Sequence, residues 1–254
     1  MRICLIGAGN LATQLGLALA EKGHQVAQVW SKTSKHAEKL ALLLNSSHTS
    51  EIESIISDAD IYIIAIKDQA IKQLLTSRNW GTSLVVHTAG STPMDILAPH
   101  CLNFGVFYPF QTFTADKKID FNLVPVCVEA NTPQNLEILK QLALSITQDL
   151  RELDSEQRQQ IHLAAVFACN FVNHFYSVAK ELLQDKGIGF DILRPLIFET
   201  ANKIVTQTPE SSQTGPAIRN DQAVMDKHLE MLTAHPDLKN IYSQISQRII
   251  NSHK

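Results

Sequence analysis

A short glycine turn near the start of the chain constrains its fold more than any other feature. Gly7, Gly9 and Ala12 follow an apolar run, Arg2–Ile6, that has the composition of a strand, and they precede a helical pattern. The first glycine permits a tight turn, the second lets a phosphate approach the backbone, and the small third residue lets the helix pack on the sheet. The N-terminus of such a helix also attracts anions. The turn therefore predicts a βαβ unit that binds a dinucleotide.

The first half of the chain alternates short strand-like runs with helical patterns, and the second half contains helical patterns alone. The strand candidates are residues 2–6, 25–30, 60–66, 84–87, 103–107 and 123–129. Strands that alternate with helices are typical of a parallel sheet with right-handed crossovers. Residues 156–184, in contrast, form a long segment of helical spacing without Pro or Gly. We therefore predict an α/β fold, with a doubly wound parallel Rossmann sheet in residues 1–153 and an all-α domain in residues 154–254.

The residues that follow the second strand candidate indicate which dinucleotide is bound. NAD enzymes usually carry Asp or Glu there, which binds the ribose 2′-hydroxyl. Here Ser31, Lys32 and Thr33 follow, with no acidic residue, and hydroxyl and ammonium groups suit a 2′-phosphate. We predict NADP(H) as the cofactor; a solvated loop without phosphate preference is the alternative. The predicted cofactor contacts are Gly7, Ala8, Gly9, Asn10, Leu11, Ser31, Lys32, Thr33, Ile66, Lys67, Thr88, Ala89 and Gly90.

Two polar residues stand out in the long apolar segment. His162 and Asn170 lie among Leu, Ala, Val and Phe, and a polar side chain in an apolar helix needs a partner. A histidine side chain can exchange a proton near neutral pH. We predict His162 as the proton donor and Asn170 as an orienting amide. A hydrogen-bonded histidine with a purely structural role is the alternative.

Three further residues are candidates for substrate binding. Tyr108 and Gln111 follow the strand candidate 103–107 and can line a pocket, with plain aromatic packing as the alternative for this segment. Arg219 lies in the motif Gly215-Pro216-x-x-Arg219-x-Asp221, which is predicted to open a helix over residues 219–233. Its guanidinium can clamp a substrate carboxylate through two N–H groups, or pair with Asp221.

Composition excludes several classes of function. The net charge of −3 gives no basic excess for nucleic-acid binding, and no run approaches the 18 apolar residues of a membrane span. The histidines and the four cysteines lack metal-ligand spacing, so no metal site is predicted. Unpaired cysteines are typical of the reducing cytoplasm. The long apolar helical segment predicts a homodimer through the helical domain.

Six segments together give the chain a family resemblance: IGAGNLA, ADIYIIAIKD, VVHTAGS, GVFYPFQTF, HLAAVFACNF and TGPAIRND. The whole chain resembles Rossmann-like NADP oxidoreductases whose helical C-terminal domain has no assigned function. More distantly, its first half is similar to pyrroline-5-carboxylate reductase and to coenzyme F420-dependent NADP oxidoreductases. The resemblance implies an NADP-binding domain and a helical domain that often dimerises. The lysine that related hydroxyacid dehydrogenases carry near the position of His162 is absent, which leaves imine reduction open.

These observations predict an NADP(H)-dependent oxidoreductase. It would transfer hydride to or from a small C=N or C=O substrate bound between the two domains. Three alternatives remain open from the sequence. The chain can be an NADP oxidoreductase that acts on a deazaflavin, a protein that senses NADP without turnover, or a mainly structural dimer module.

Overall fold

The computed structural model describes residues 1–114 and 117–253. The chain divides into two compact units, residues 1–172 and residues 173–254, and each is described by itself. The sheet of the first unit ends at Glu152, while its compact part continues to Val172. The predicted functional boundary between residues 153 and 154 stays a prediction.

The first unit is built on one eight-stranded sheet. Its strands are β1 (Arg2–Ile6), β2 (Gln25–Trp30), β3 (Ser47–Thr49), β4 (Ile61–Ile64), β5 (Leu84–His87), β6 (Asn103–Pro109), β7 (Val126–Ala130) and β8 (Leu150–Glu152). Across the sheet their order is β3-β2-β1-β4-β5-β6-β7-β8. The strand order reverses beside β1, and open sheets of this kind bind ligands at the carboxyl ends next to such a reversal. The predicted Rossmann architecture is confirmed.

The structure contains two strands that the sequence did not predict, and one pair of neighbouring strands is antiparallel where a parallel pair was predicted. The three-residue edge strands β3 and β8 are too short to show an apolar pattern in the sequence. The sequence predicts a wholly parallel sheet, whereas β7 runs antiparallel to β6, with Val106 opposite Glu129. Antiparallel neighbours need no helical crossover. Among its described residues, the connection between β6 and β7 contains one 3₁₀ turn, Phe121–Leu123.

Apolar clusters cover both faces of the sheet because its central strands carry apolar residues on both faces. Successive side chains of a strand point to opposite faces. Ile3 and Leu5 of β1 therefore join one cluster, and Cys4 and Ile6 join the other. The helices of this part of the chain are α1 (Asn10–Glu21), α2 (Ser34–Leu44), α3 (Asp68–Leu75) and α4 (Pro133–Leu144).

The predicted helical segment 156–184 is confirmed, with one irregularity. Helix α5 (Ser155–Ala165) begins at a capping box, in which Asp154 and Gln157 bind each other's backbone N–H groups. A π-helical segment, Val166–Phe171, follows and leads into α6 (Val172–Gln184). A π-helical turn takes more residues than an α-helical one, and such segments are frequent at functional sites. The π-helical segment lies between His162 and the end of this region and contains Asn170, so the angle between the two residues around the helix differs from that of a regular α-helix.

The run Ser155–Gln184 also has the length and apolar composition that would allow a helix to cross a membrane. Core helices of soluble proteins and signal sequences share these two properties. The prediction that the chain has no membrane span therefore stays a prediction.

The second unit is helical throughout its described part. After α6 it contains α7 (Arg194–Thr206), α8 (Gln222–Met231) and α9 (Pro236–Ser252). Helix α8 is shorter than the predicted helix 219–233, because Asp221 caps it by accepting a hydrogen bond from the Val224 N–H at 3.3 Å. Arg219 therefore lies in the turn before the helix. Within the described residues of this unit, few apolar side chains are buried: Ala217, Met225 and Leu232.

Candidate active site

The glycine turn leaves its backbone open at the N-terminus of α1. Gly7 has φ +125°, its N–H donates to the Trp30 carbonyl at 2.7 Å, and a Cβ there would overlap the Ala65 carbonyl oxygen. Only glycine fits at this position. At Gly9 a Cβ would meet no atom within 4 Å, so the surface over the start of α1 is open. The first turn of α1 carries no acidic residue, so its free N–H groups can bind an anion.

The other residues predicted at this turn have different surroundings. Asn10 begins α1, and its side-chain amide donates to the Phe113 carbonyl at 3.1 Å, so that amide is already engaged. Ala8 and Leu11 are half-buried and pack on the core. The backbone of this turn, rather than the Asn10 amide, is therefore the part that remains for a ligand.

A second polar surface lies at the start of α2. Thr33 is the N-cap residue, and its side chain makes no capping hydrogen bond; its N–H donates to Ser31 Oγ at 3.3 Å. Lys32 is exposed, and the first turn of α2 contains no acidic residue. Two hydroxyls, an ammonium group and a helix N-terminus fit a 2′-phosphate.

The loops after β4 and β5 are joined to each other at the carboxyl edge of the sheet. Ile66 and Lys67 follow β4, and Asp68 begins α3. The Asp68 carboxylate accepts hydrogen bonds from the hydroxyls of Ser91, at 2.6 Å, and Thr92, at 3.1 Å. The predicted cofactor residues Thr88, Ala89 and Gly90 are buried in the second of these loops.

Tyr108 and His162 form a hydrogen-bonded pair beside this loop. The Tyr108 hydroxyl lies 3.1 Å from His162 Nδ1, although 54 residues separate them in the chain. A Cβ on Gly90 would lie 2.5 Å from His162 Nδ1 and 2.7 Å from the Tyr108 hydroxyl, so the loop backbone packs directly against the pair. Burial raises the pKa of Tyr108 to about 12, so its hydroxyl keeps its proton at neutral pH. The structure therefore brings three predicted residues together.

Sequence reasoning missed a buried arginine beside them. The Arg158 side chain is 0 % exposed and forms an ion pair with Glu129. It also donates to the carbonyls of Ala89, at 3.2 Å, and Thr92, at 2.6 Å. The sequence contained one indication of these contacts. A cation near the N-terminus of a helix is unfavourable in the field of the helix dipole, so another interaction must stabilise it there.

His87, at the end of β5, is a second buried polar group of this region. Its Nδ1 accepts a hydrogen bond from the Ala89 N–H at 3.2 Å. Burial and, after it, the charge of Arg158 lower its pKa to about 4. His87 is therefore a neutral, structural member of the loop at neutral pH.

Three predicted residues have no place in this cluster. Gln111 is exposed, and its side-chain oxygen accepts from the Thr112 N–H at 2.9 Å. Asn170 is exposed in the π-helical segment. Arg219 is exposed in the second compact unit. Their predicted roles stay predictions.

Comparison with known families matches both halves of the chain. Residues 2–90 match the family described as NADP oxidoreductase, coenzyme F420-dependent. Residues 124–249 match a domain of unknown function, DUF2520. The curated relatives include glycerol-3-phosphate dehydrogenase [NAD(P)+] from Oceanobacillus iheyensis, 27 % identical over 115 residues. That match covers 37 % of this chain and 32 % of the dehydrogenase, so the chain spans about a third of that relative's length.

Solved structures extend the similarity over the whole chain. A proposed NADP oxidoreductase from Bacteroides fragilis is 42 % identical, with 98 % of each chain covered and a TM-score of 0.92. Two structures at 14 % identity share the fold. The 1-pyrroline-5-carboxylate reductase of Streptococcus pyogenes has a TM-score of 0.66, with 99 % of this chain and 98 % of that chain covered. The NADP⁺ complex of an imine reductase from Myxococcus stipitatus has a TM-score of 0.68, with 99 % and 92 % covered.

The identity to the Bacteroides fragilis protein extends over nearly the full length of both chains, and the two domain matches occur in the order that the sequence resemblance implies. This chain belongs to the family of NADP oxidoreductases in which an N-terminal Rossmann domain of the coenzyme F420-dependent type precedes a helical DUF2520 domain.

Proposed function

We propose that this chain uses NADPH to reduce a C=N or C=O bond of a small molecule, with His162 as the proton donor. One observation carries the proposal. The backbone of Gly90, a predicted cofactor contact at the carboxyl edge of the sheet, packs against the Tyr108–His162 pair, and we place the nicotinamide half of the cofactor at this loop. A group that can donate a proton therefore lies beside the proposed site of reduction.

NADP(H), the cofactor of this family, fits the residues of the first unit. The turn at Gly7 and Gly9 and the N-terminus of α1 would hold the pyrophosphate. Ser31, Lys32 and Thr33 would bind the 2′-phosphate. When bound, NADPH supplies the hydride.

The chain's own contribution is the proton. In a protonated His162, Nδ1–H donates to the Tyr108 oxygen and Nε2–H is left to donate to the substrate. Transfer of the Nε2 proton to the substrate nitrogen or oxygen leaves a neutral imidazole. Hydride and proton together convert a C=N bond to an amine or a C=O bond to an alcohol. The reverse reaction uses the same groups, with neutral His162 as the base.

Tyr108 has a supporting role in this proposal. Because burial raises its pKa to about 12, the hydroxyl stays protonated and is a much weaker acid than an imidazolium near neutral pH. Its bond to Nδ1 fixes the orientation of the imidazole ring. The hydrogen bonds from Ser91 and Thr92 to the Asp68 carboxylate join the adjoining loops.

Imine substrates are favoured by two considerations. The lysine used by related hydroxyacid dehydrogenases is absent, and two proteins with the same fold are named as reductases of C=N compounds. The test is NADPH consumption with a panel of cyclic imines and matched ketones, with the product identified by mass. Conversion of imines but not ketones would support the narrower assignment. No conversion from either class, despite NADPH binding, would refute the proposed reaction.

A deazaflavin acceptor is the second candidate, because the N-terminal domain match is described as coenzyme F420-dependent. The same protein should be mixed with NADPH and oxidised F420, and the loss of F420 absorbance followed. Rapid F420 reduction in the absence of imine turnover would make this the correct assignment.

We also propose that the helical region forms a homodimer. Exposed apolar side chains lie along α7, with Phe198 68 % and Val205 79 % exposed. Contiguous exposed apolar surface is typical of interaction sites, and assemblies of identical chains are the commonest oligomers. The molecular mass in solution, measured by analytical ultracentrifugation, should be twice that of the chain. A monomer at micromolar concentration would refute the dimer.

A further inference from the structure

Arg158 is bound by three separate parts of the first unit. Its Nε donates to the Ala89 carbonyl at 3.2 Å and its Nη2 to the Thr92 carbonyl at 2.6 Å. Nη2 also lies 3.2 Å from Ser155 Oγ, and Nη1 pairs with the Glu129 carboxylate. The side chain is 0 % exposed. Its hydrogen-bonding capacity is therefore used inside the protein and not for a ligand.

The two carbonyls that Arg158 binds lie on either side of Gly90 and Ser91. Gly90 is also the residue that packs against Tyr108 and His162, with no room for a methyl group. Arg158 and His162 are four residues apart in α5, so they share one face of the helix. One helical face thus carries both the group that holds the loop and the histidine that contacts it.

The strand register explains why Glu129 can anchor the arginine. His87 of β5 lies opposite Val106 of β6, and Val106 lies opposite Glu129 of β7. The carboxylate therefore lies in the same row of residues as the end of β5, from which the loop departs. Ser155 completes the anchor, because its N–H and hydroxyl both donate to Glu129, at 3.1 and 2.9 Å.

A buried ion pair adds little stability compared with apolar residues of the same shape. A planar guanidinium, however, can bind a carboxylate and two carbonyls in one fixed arrangement that an ammonium group cannot reproduce. We propose that Arg158 is a positioning residue, which, anchored by Glu129, holds the loop of residues 89–92 so that Gly90 lies against the Tyr108–His162 pair. The expected effect of Arg158 on cofactor binding rests on the proposed function, whereas its effect on the position of the loop does not.

The test compares two ligands in two variants and a control. The variants are Arg158→Lys and Glu129→Gln. The control is Arg78→Lys, since Arg78 also donates to backbone carbonyls, including those of Ile55 and Ile56, but lies against Tyr62 and Trp80 elsewhere in the unit. The ligands are NADPH and adenosine 2′,5′-bisphosphate, which lacks the nicotinamide half. Binding is measured by calorimetry, and the nicotinamide environment by NADPH fluorescence.

We expect Arg158→Lys to weaken NADPH binding about tenfold and to reduce the fluorescence enhancement, while bisphosphate binding changes less than about twofold. Glu129→Gln should act in the same direction, and Arg78→Lys should leave the ratio of the two affinities unchanged. An unchanged ratio in both Arg158→Lys and Glu129→Gln would overturn the proposal. An equal change of this affinity ratio in Arg78→Lys would also overturn the proposal. If Arg158→Lys does not fold, Glu129→Gln decides the outcome.

Amide hydrogen exchange in the free protein separates this proposal from the proposed function. If the wild-type chain binds neither ligand, the proposed function fails, and the loop is still measurable. Exchange at Gly90 and Ser91 should then be at least about tenfold faster in Arg158→Lys than in Arg78→Lys. Equal exchange in the two variants would overturn the positioning role.

Discussion

The two compact units each contain a histidine whose Nδ1 is hydrogen-bonded to a tyrosine hydroxyl. In the first unit, His162 and Tyr108 are 3.1 Å apart; in the second, His228 and Tyr242 are 2.9 Å apart. The first pair packs against the backbone of Gly90 at the carboxyl edge of a mostly parallel sheet. The second lines an apolar cavity of about 440 Å³ among the helices of its own unit. The bond is the same in both pairs, so the proposed role of His162 as proton donor rests on its surroundings and not on the bond.

The two units also differ in how many of their apolar side chains are buried. The first unit has apolar clusters on both faces of its sheet, and Tyr108 of the candidate site lies on strand β6. Both units expose some large apolar side chains, but in the described part of the second unit only Ala217, Met225 and Leu232 are buried apolar residues, while residues such as Ile192 and Leu196 are exposed. The first unit therefore has the features of a binding scaffold, and the second has the features of an interaction surface.

The largest expected effect tests the comparison of the two histidines directly. His162→Ala should lower turnover of an identified substrate about 1000-fold, since loss of a general acid commonly costs a factor of this size. NADPH affinity should change less than about twofold. The matched substitution, His228→Ala, should leave turnover within about threefold of wild type. Equal turnover losses in the two variants would remove the distinction between the pairs.

Substitutions in the glycine turn separate residues that stabilise the fold from residues that face a ligand. Gly7→Ala should lower the free energy of unfolding by about 3 kcal/mol, because φ is +125° and a Cβ would overlap the Ala65 carbonyl. Gly9→Ala should leave the unfolding free energy within about 0.5 kcal/mol, since a Cβ there meets nothing. It should weaken NADPH binding about tenfold. Denaturant unfolding and NADPH titration of both variants check these expectations; a destabilised Gly9→Ala would contradict them.

We expect the loss of folding stability at acidic pH to originate in the first unit, at His87. Its folded-state pKa of about 4 lies below the ordinary value of 6.5, so the unfolded chain binds a proton that the folded chain does not. Stability is therefore complete above pH 6.5 and is lost as the pH falls towards 4, by up to about 3 kcal/mol. His87→Asn keeps an acceptor for the Ala89 N–H and cannot titrate, so it should flatten this dependence. Unfolding free energies at pH 7, 5.5 and 4.5 measure the slope; an unchanged slope in the variant would assign the effect to other groups.

The fold could be predicted where apolar runs are continuous. β1, β2 and β5 begin and end at the predicted residues, because each is a mainly apolar run followed by a glycine or a hydroxyl residue. The short edge strands and the antiparallel direction of β7 could not be predicted. Three residues are too few to show a period, and strand direction depends on a connection whose path the sequence pattern does not reveal.

The sequence predicted individual residues of the candidate site, but it did not predict that they are in contact. His162, Tyr108 and Gly90 were each singled out by type and local context, but nothing in a single sequence indicates that residues 54 positions apart are in contact. Arg158 was missed because a charged residue near the start of a helix is usually solvated. Its complete burial follows from tertiary packing alone.

The most direct test of the whole account is a binding titration of the wild-type protein with NADPH and NADH under identical conditions. The account predicts saturable binding of NADPH that is at least about tenfold tighter than that of NADH, equivalent to about 1.4 kcal/mol from the 2′-phosphate contacts. Lys32→Ala should remove part of this preference and leave NADH binding unchanged. Equal affinity for the two dinucleotides would contradict the proposed 2′-phosphate site, and failure to bind either would contradict the proposed reductase itself.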